Sequence, residues 1–150
     1  MTTDIQLSHR ESVQGQAVRS YFHKVLDQGN VELIEDLFHP HCVMHRPGGT
    51  VVGLDAVRGV VEHRKETFSQ FGTEIHDIFG SGDRLVARLT HRGVGGGIWR
   101  SRLGSYDISG KTVTWNAIAI FHFQEDRIIE EWVTRDELGV ILQLGLIQTA

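Results

Sequence analysis

Proton-carrying and ion-holding side chains are plentiful in this 150-residue sequence, with 19 Asp+Glu, 15 Lys+Arg, nine His and one Cys. Four positions join useful chemistry to a suggestive setting. Glu131 lies in the strand-like stretch Arg127–Thr134, where burial raises a carboxyl pKa towards that of a general acid or base; on the other face it is a surface glutamate or an arginine's partner. His45 ends a short strand beside the turn Pro47-Gly48-Gly49, and it either exchanges protons at neutral pH or simply stands at a strand end. Arg88 is a long cation in mid-strand, which calls for a carboxylate partner or a cavity in which it orients an oxyanion. Asp136 follows the last strand, where helix capping competes with a supporting catalytic role.

Other chemistries find little support. His39-Pro40-His41-Cys42, with His45, is the only metal-like cluster, but proline interrupts the strand and no carboxylate completes the set, so no metal is expected. The glycines between Gly93 and Gly97 do not link a strand to a helix as a phosphate loop does. With Ile98-Trp99-Arg100 they read as a flexible flap over a cavity mouth. Cys42 has no activating neighbour and no second cysteine to pair with. A net charge of -4 gives no footprint for nucleic acid or an anionic membrane, and no window reaches the ~20 apolar residues of a spanning helix. The expectation is a soluble cytoplasmic protein needing no cofactor.

The elements that must position these residues follow from hydrophobic periodicity. Ser12 caps a helix to about Gln28, in which Ala17, Val18, Tyr21, Phe22, Val25 and Leu26 repeat at helical spacing, and Gly29 stops it. A short helix from Asn30 ends before Pro40; Cys42–His45 and Val51-Val52 form a small hairpin. A third helix runs from Leu54 to about Phe71, with His63 on its flank. Period-two strands follow at 74–79, 84–92, 112–123 and 127–134, the last two joined by the acidic turn Gln124-Glu125-Asp126. Trp115, Ala117, Ala119 and Phe121 share one face, and the alanines leave room for a flat ligand. A final helix starts at Asp136 and ends at Gly145. This is one α+β domain over 13–150, preceded by a flexible segment at 1–12: a curved antiparallel sheet covered by the N-terminal helices.

Gly29-Asn30, Phe38-His39-Pro40 and Gly53, in that order, resemble the nuclear-transport-factor-2-like (cystatin-like) cone fold. The stretch Gly82–Thr90, Ser109-Gly110-Lys111-Thr112-Val113, Ile128-Ile129-Glu130-Glu131-Trp132 and Gln143-Leu144-Gly145 resemble the SnoaL-like polyketide cyclase group within it. The resemblance implies a cofactor-independent cyclase, isomerase or dehydratase-like (lyase) enzyme of secondary metabolism, acting on a small hydrophobic carbonyl metabolite, and a homodimer. The cyclase aspartate and histidine correspond to Val133 and Ala119, which move no protons. This favours the alternative of a non-catalytic hydrophobic-ligand protein. If Val133 faces the cavity, Glu131 and Ile129 do too, while Glu130 and Trp132 point away. Glu131, His45, Asp136 and Arg88 are then the expected catalytic residues, and Trp115, Ala119, Val133, His63 and Tyr21 the expected substrate contacts.

Overall fold

Ser12 accepts a hydrogen bond from the Gly15 N–H at 3.0 Å and so starts the first helix where the sequence predicts. The computed structural model describes residues 12–147; the expected flexible segment lies outside the described residues except for Ser12. Helix α1 (Val13–Ser20) continues as a π-helical segment, Tyr21–Asp27, and together they bury Ala17, Val18, Tyr21, Phe22, Val25 and Leu26. Gly29 takes φ +78, which a side chain would resist, and ends the run. A 3-10 turn (Val31–Leu33) leads to the single turn α2 (Ile34–Leu37).

Strand β1 (Phe38–Arg46) begins earlier than Cys42, with Pro40 inside it. Proline supplies no ladder N–H, and the pairing of β1 with its neighbour breaks between Phe38 and Val43. After β2 (Gly49–Val52), helix α3 (Leu54–Thr67) ends before Phe71, and β3 (Phe68–Ser81) takes over. The expected longer helix has a specific origin. A register shift between Phe68 and Gln70 lets Phe68 and Phe71, three residues apart, pack together at 5.4 Å between ring centroids, which imitates a helical repeat.

The remaining elements are β4 (Arg84–Gly95), the separate hairpin β5 (Ile98–Ser101) and β6 (Gly104–Asp107), β7 (Thr112–Gln124), β8 (Arg127–Arg135) and α4 (Glu137–Gln143). The main sheet runs β2-β1-β8-β7-β4-β3, antiparallel except for β1 beside β8, which are parallel. Alternation is clean on β4 and β7: Leu85, Ala87, Leu89 and His91 face inward with the odd-numbered residues from Val113 to Phe123. Tyr21 meets Phe38 and Phe121 edge-on, and such aromatic pairs contribute about 0.5–1.5 kcal/mol each beyond burial. The tight turn between β7 and β8 holds Glu125 and Asp126 at φ 52 and 63, the left-handed pair that matches hairpin twist.

The β5–β6 hairpin is rooted on β4. Gly95 N–H donates to the Lys111 carbonyl at 2.8 Å and Gly110 N–H donates to the Gly95 carbonyl at 2.9 Å. A Cβ at Gly95 would overlap the Ile108 carbonyl, so glycine permits this close approach. Among the described residues, no helix is long and apolar enough to cross a membrane.

Candidate functional site

A cavity of about 600 Å³ opens between α3, the β1–β2 turn, the β5–β6 hairpin, β7 and the start of α4. Its size suits a small organic molecule. Val51, Ala56, Val60, Phe68, Trp99, Trp115 and Val140 supply apolar wall, and Trp115 stacks on Phe68 at 5.6 Å. The segment expected to be a flexible flap is instead a paired β-hairpin, from which Trp99 to Arg102 line the cavity. Five arginines also line it, at positions 46, 64, 100, 102 and 135, with Glu137 the lining carboxylate.

Deeper in, a void of about 10 Å³ lies among Tyr21, Leu89, His91, Ala117, Glu131 and Val133, and Arg46, Arg64 and Arg135 line both spaces. Glu131 is 2% exposed, with its Oε1 3.7 Å from Arg46 Nη1. Burial pushes its carboxyl pKa up, against the pull of Arg46 and Arg64. Burial, then the charge of Glu131, raises the Tyr21 phenol. His91 is held neutral, its pKa down to about 2 through burial and the Arg64 charge, and its Nδ1 lies 2.8 Å from Thr73 Oγ1. Arg64 is pressed down to about 9 by burial and then by Arg46, yet stays charged at neutral pH. Among the described residues, four buried polar atoms have no hydrogen-bond partner: Tyr21 Oη, Arg64 Nη1, Trp115 Nε1 and Glu131 Oε1. All four belong to residues lining the two spaces. Unsatisfied groups are rare in native interiors, and their concentration here singles out these two spaces as the candidate site.

The model of the SnoaL-like polyketide cyclases matches residues 16–144. The chain belongs to this family. Solved structures share the SnoaL-like fold at low identity. TsrD from Streptomyces laurentii is 23% identical with TM-score 0.79, the match covering 90% of this chain and 96% of that one. IdmH from Streptomyces antibioticus is 21% identical with TM-score 0.74, over 88% and 98%. A SnoaL-like polyketide cyclase from Agrobacterium tumefaciens is 17% identical with TM-score 0.72, over 89% and 98%. Among curated proteins, none matches the sequence.

The SnoaL-like core brings some of the expected residues together and separates others. Glu131, Val133 and Tyr21 meet around the deep void, while Trp115 and His63 line the main cavity, His63 at its solvent-exposed rim. Partial burial lowers the His63 pKa. Ala119 is fully buried in the closed core and lines neither space, because its strand position lies beyond Ala117. Ile129 falls out of phase: a bulge between His122 and Phe123 shifts the register, so Ile128 is the buried residue. Glu130 and Trp132 point away from the core, as alternation requires, and His45 goes with them. Met44 takes the inward position, which leaves the His45 ring stacked on Trp132 at 5.4 Å, with Nε2 2.6 Å from Glu130 Oε2. Arg88, between buried Ala87 and Leu89, lies on the same outer face and donates from Nε to Asp77 at 2.6 Å. Asp136 is exposed and accepts from the Gly139 N–H at 2.9 Å, the helix-capping alternative.

Sequence reading missed Arg46, Arg64, Arg135 and His91. The signals were present. Arg135 continues the inward phase of Glu131 and Val133, His91 continues that of Leu85, Ala87 and Leu89, and Arg64 extends the Val57–Val61 stripe of α3. Charge made each look like a surface residue. His39 and His41 sit with ring centroids 5.6 Å apart, Cys42 is buried beside them in sequence, and among the described residues no three His, Cys, Asp or Glu side chains are grouped to hold a metal.

Proposed function

We propose that the protein is a cofactor-independent acid–base enzyme of the cyclase or isomerase type, acting in cytoplasmic secondary metabolism on a largely apolar, carbonyl-bearing metabolite of polyketide character. The observation that supports this most is the juxtaposition of an aromatic-walled cavity with a buried carboxyl, Glu131, behind Arg46. In this reading the Glu131 carboxylate removes a proton α to a substrate carbonyl, and the Arg46 guanidinium stabilises the enolate oxygen. The enolate carbon then attacks a second carbonyl of the same molecule, or is reprotonated at another position. Either way the Glu131 acid returns the proton, so the reaction consumes no electrons and no co-reactant. His63 at the rim is a second group able to accept or donate a proton.

The test is turnover of aromatic and linear polyketide acids and esters by Glu131→Gln, read by mass spectrometry beside circular dichroism. A loss of about 100-fold or more with an unchanged spectrum is expected, in line with the 10²–10⁴-fold worth of a general acid–base group. Full activity would remove Glu131 from the mechanism. A second reading, hydrophobic-ligand binding without catalysis, draws support from Glu131 lining the deep void rather than the main cavity. Saturable binding without conversion, indifferent to pH between about 5 and 8, would favour it. Ile118, Ile120 and Phe79 are exposed on the sheet's strands β7 and β3, which supports a homodimer in either reading; a monomer in sedimentation at micromolar concentration would contradict that assembly.

A further inference from the structure

Resting on the reading of the cavity as a substrate site, we propose that its ligand is an anion: an aromatic or otherwise flat metabolite carrying a free carboxylate, which Arg64 anchors. An ester or other neutral carbonyl compound would leave that anchor unused.

Charge and burial carry the argument. Five guanidiniums line the cavity against the single lining carboxylate of Glu137. Glu137 is already shared by Arg102 and Arg135, the latter at 3.5 Å. Arg46 is turned to Glu131 at 3.7 Å. Arg64 is left over. It is 9% exposed, its guanidinium carbon lies 4.3 Å from the centre of the Phe71 ring, and its Nη1 has no hydrogen-bond partner. Asp27 and Glu131 act on Arg64 only through their fields and make no ion pair with it: Asp27 accepts from the Thr73 N–H at 3.0 Å and from the Thr73 hydroxyl at 2.8 Å, and Glu131 lies against Arg46. A buried, unpaired cation is costly unless something restores its lost hydration. The second unpartnered donor lining the cavity, Trp115 Nε1, is again a donor and not an acceptor. Two buried donors without acceptors call for a ligand rich in acceptor oxygens, and a guanidinium matches a carboxylate with two parallel bonds. Trp115, Phe68 and Trp99 beside them fit the flat apolar remainder. A phosphate is a poorer match, since the glycine-rich stretch near the cavity roots a hairpin and opens no helix.

The test compares naphthalene-2-carboxylate with its methyl ester by calorimetry on the full chain. The wild-type protein is expected to bind the acid about tenfold or more tightly than the ester, the range a buried charged hydrogen bond supplies. Arg64→Gln should abolish that preference while ester affinity stays within about twofold, and Arg64→Lys should retain part of it. Should Arg64→Gln fail to fold, the acid-to-ester ratio in the wild type and in Arg64→Lys still decides. Equal affinity for acid and ester in the wild type, or undiminished acid binding in Arg64→Gln, overturns the anion proposal and leaves the acid–base reading standing. Loss of acid preference therefore fails separately from loss of turnover in Glu131→Gln, and binding of neither probe overturns the proposal outright.

Discussion

The two faces of the main sheet carry the same residue types under opposite physical conditions. Outside, charged and titratable groups pair within reach of water: Arg88 with Asp77 at 2.6 Å, His45 with Glu130 at 2.6 Å, His122 with Asp83 at 3.0 Å. Inside, Arg64, Glu131 and Tyr21 are buried with polar atoms unpartnered, and His91 is held neutral among cations. Close pairing in solvent contributes little energy, because water solvates both charges before and after folding. Incomplete pairing out of solvent is a standing cost, and a fold keeps it where a ligand or a proton transfer uses it. Short hydrogen bonds are therefore the poorer guide to the site in this molecule.

The sharpest way to break the comparison uses neighbours on β8. Glu131→Gln and Glu130→Gln make the same chemical change one residue apart, on opposite faces. The first is expected to cost turnover about 100-fold or more and the second less than about twofold. Equal losses in both would mean that face does not decide function.

A smaller effect, on stability, probes His91. Its folded pKa is depressed to about 2 by burial and the Arg64 charge, against an ordinary value of 6.5. Below pH 6.5 the unfolded chain binds a proton that the native state refuses, so this contribution is complete above 6.5 and is lost as pH falls. The slope approaches about 1.4 kcal/mol per pH unit, or about 2 kcal/mol by pH 5. Glu131 works in the other direction: its raised pKa keeps the native state protonated where the unfolded chain is not, and that stabilisation fades as pH rises. The difference between wild type and His91→Gln isolates the imidazole. Urea unfolding at pH 7 and pH 5 should show the wild type losing about 2 kcal/mol relative to the variant; parallel pH profiles would show that His91 does not contribute.

Much of the fold was readable because alternation and helix punctuation are local properties. Ser12, Gly29 and the Glu125-Asp126 turn act where they stand. Errors came from irregularities that change parity without a sequence mark: the bulge that exchanges Ile129 for Ile128, and the shift that sets Phe68 and Phe71 side by side. The site was less legible. Glu131 could be found by phase, but Arg88 and His45 attracted attention by residue type, and only strand pairing shows them on the outer face. Arg46, Arg64 and Arg135 come from β1, α3 and β8. Their convergence is a tertiary fact, and nothing short-range announces that three arginines share one cavity.

The smallest expected effect is at Arg88, and it tests the outer half of the comparison. Its ion pair with Asp77 is short, yet the side chains are 54% and 49% exposed. Water solvates both charges before and after folding, so the distance overstates the energy. A double-mutant cycle with Arg88→Ala and Asp77→Ala should give a coupling of about 0.2–1 kcal/mol that shrinks in high salt, with turnover within about twofold of wild type. A larger, salt-insensitive coupling would mean that the pair is desolvated in solution. Arg88 stands directly across from exposed Ile118 on β7, so burial of this face by a second subunit is the source such a result would indicate. The same cycle, repeated across protein concentration, then distinguishes a monomer's solvated surface from a dimer's interface.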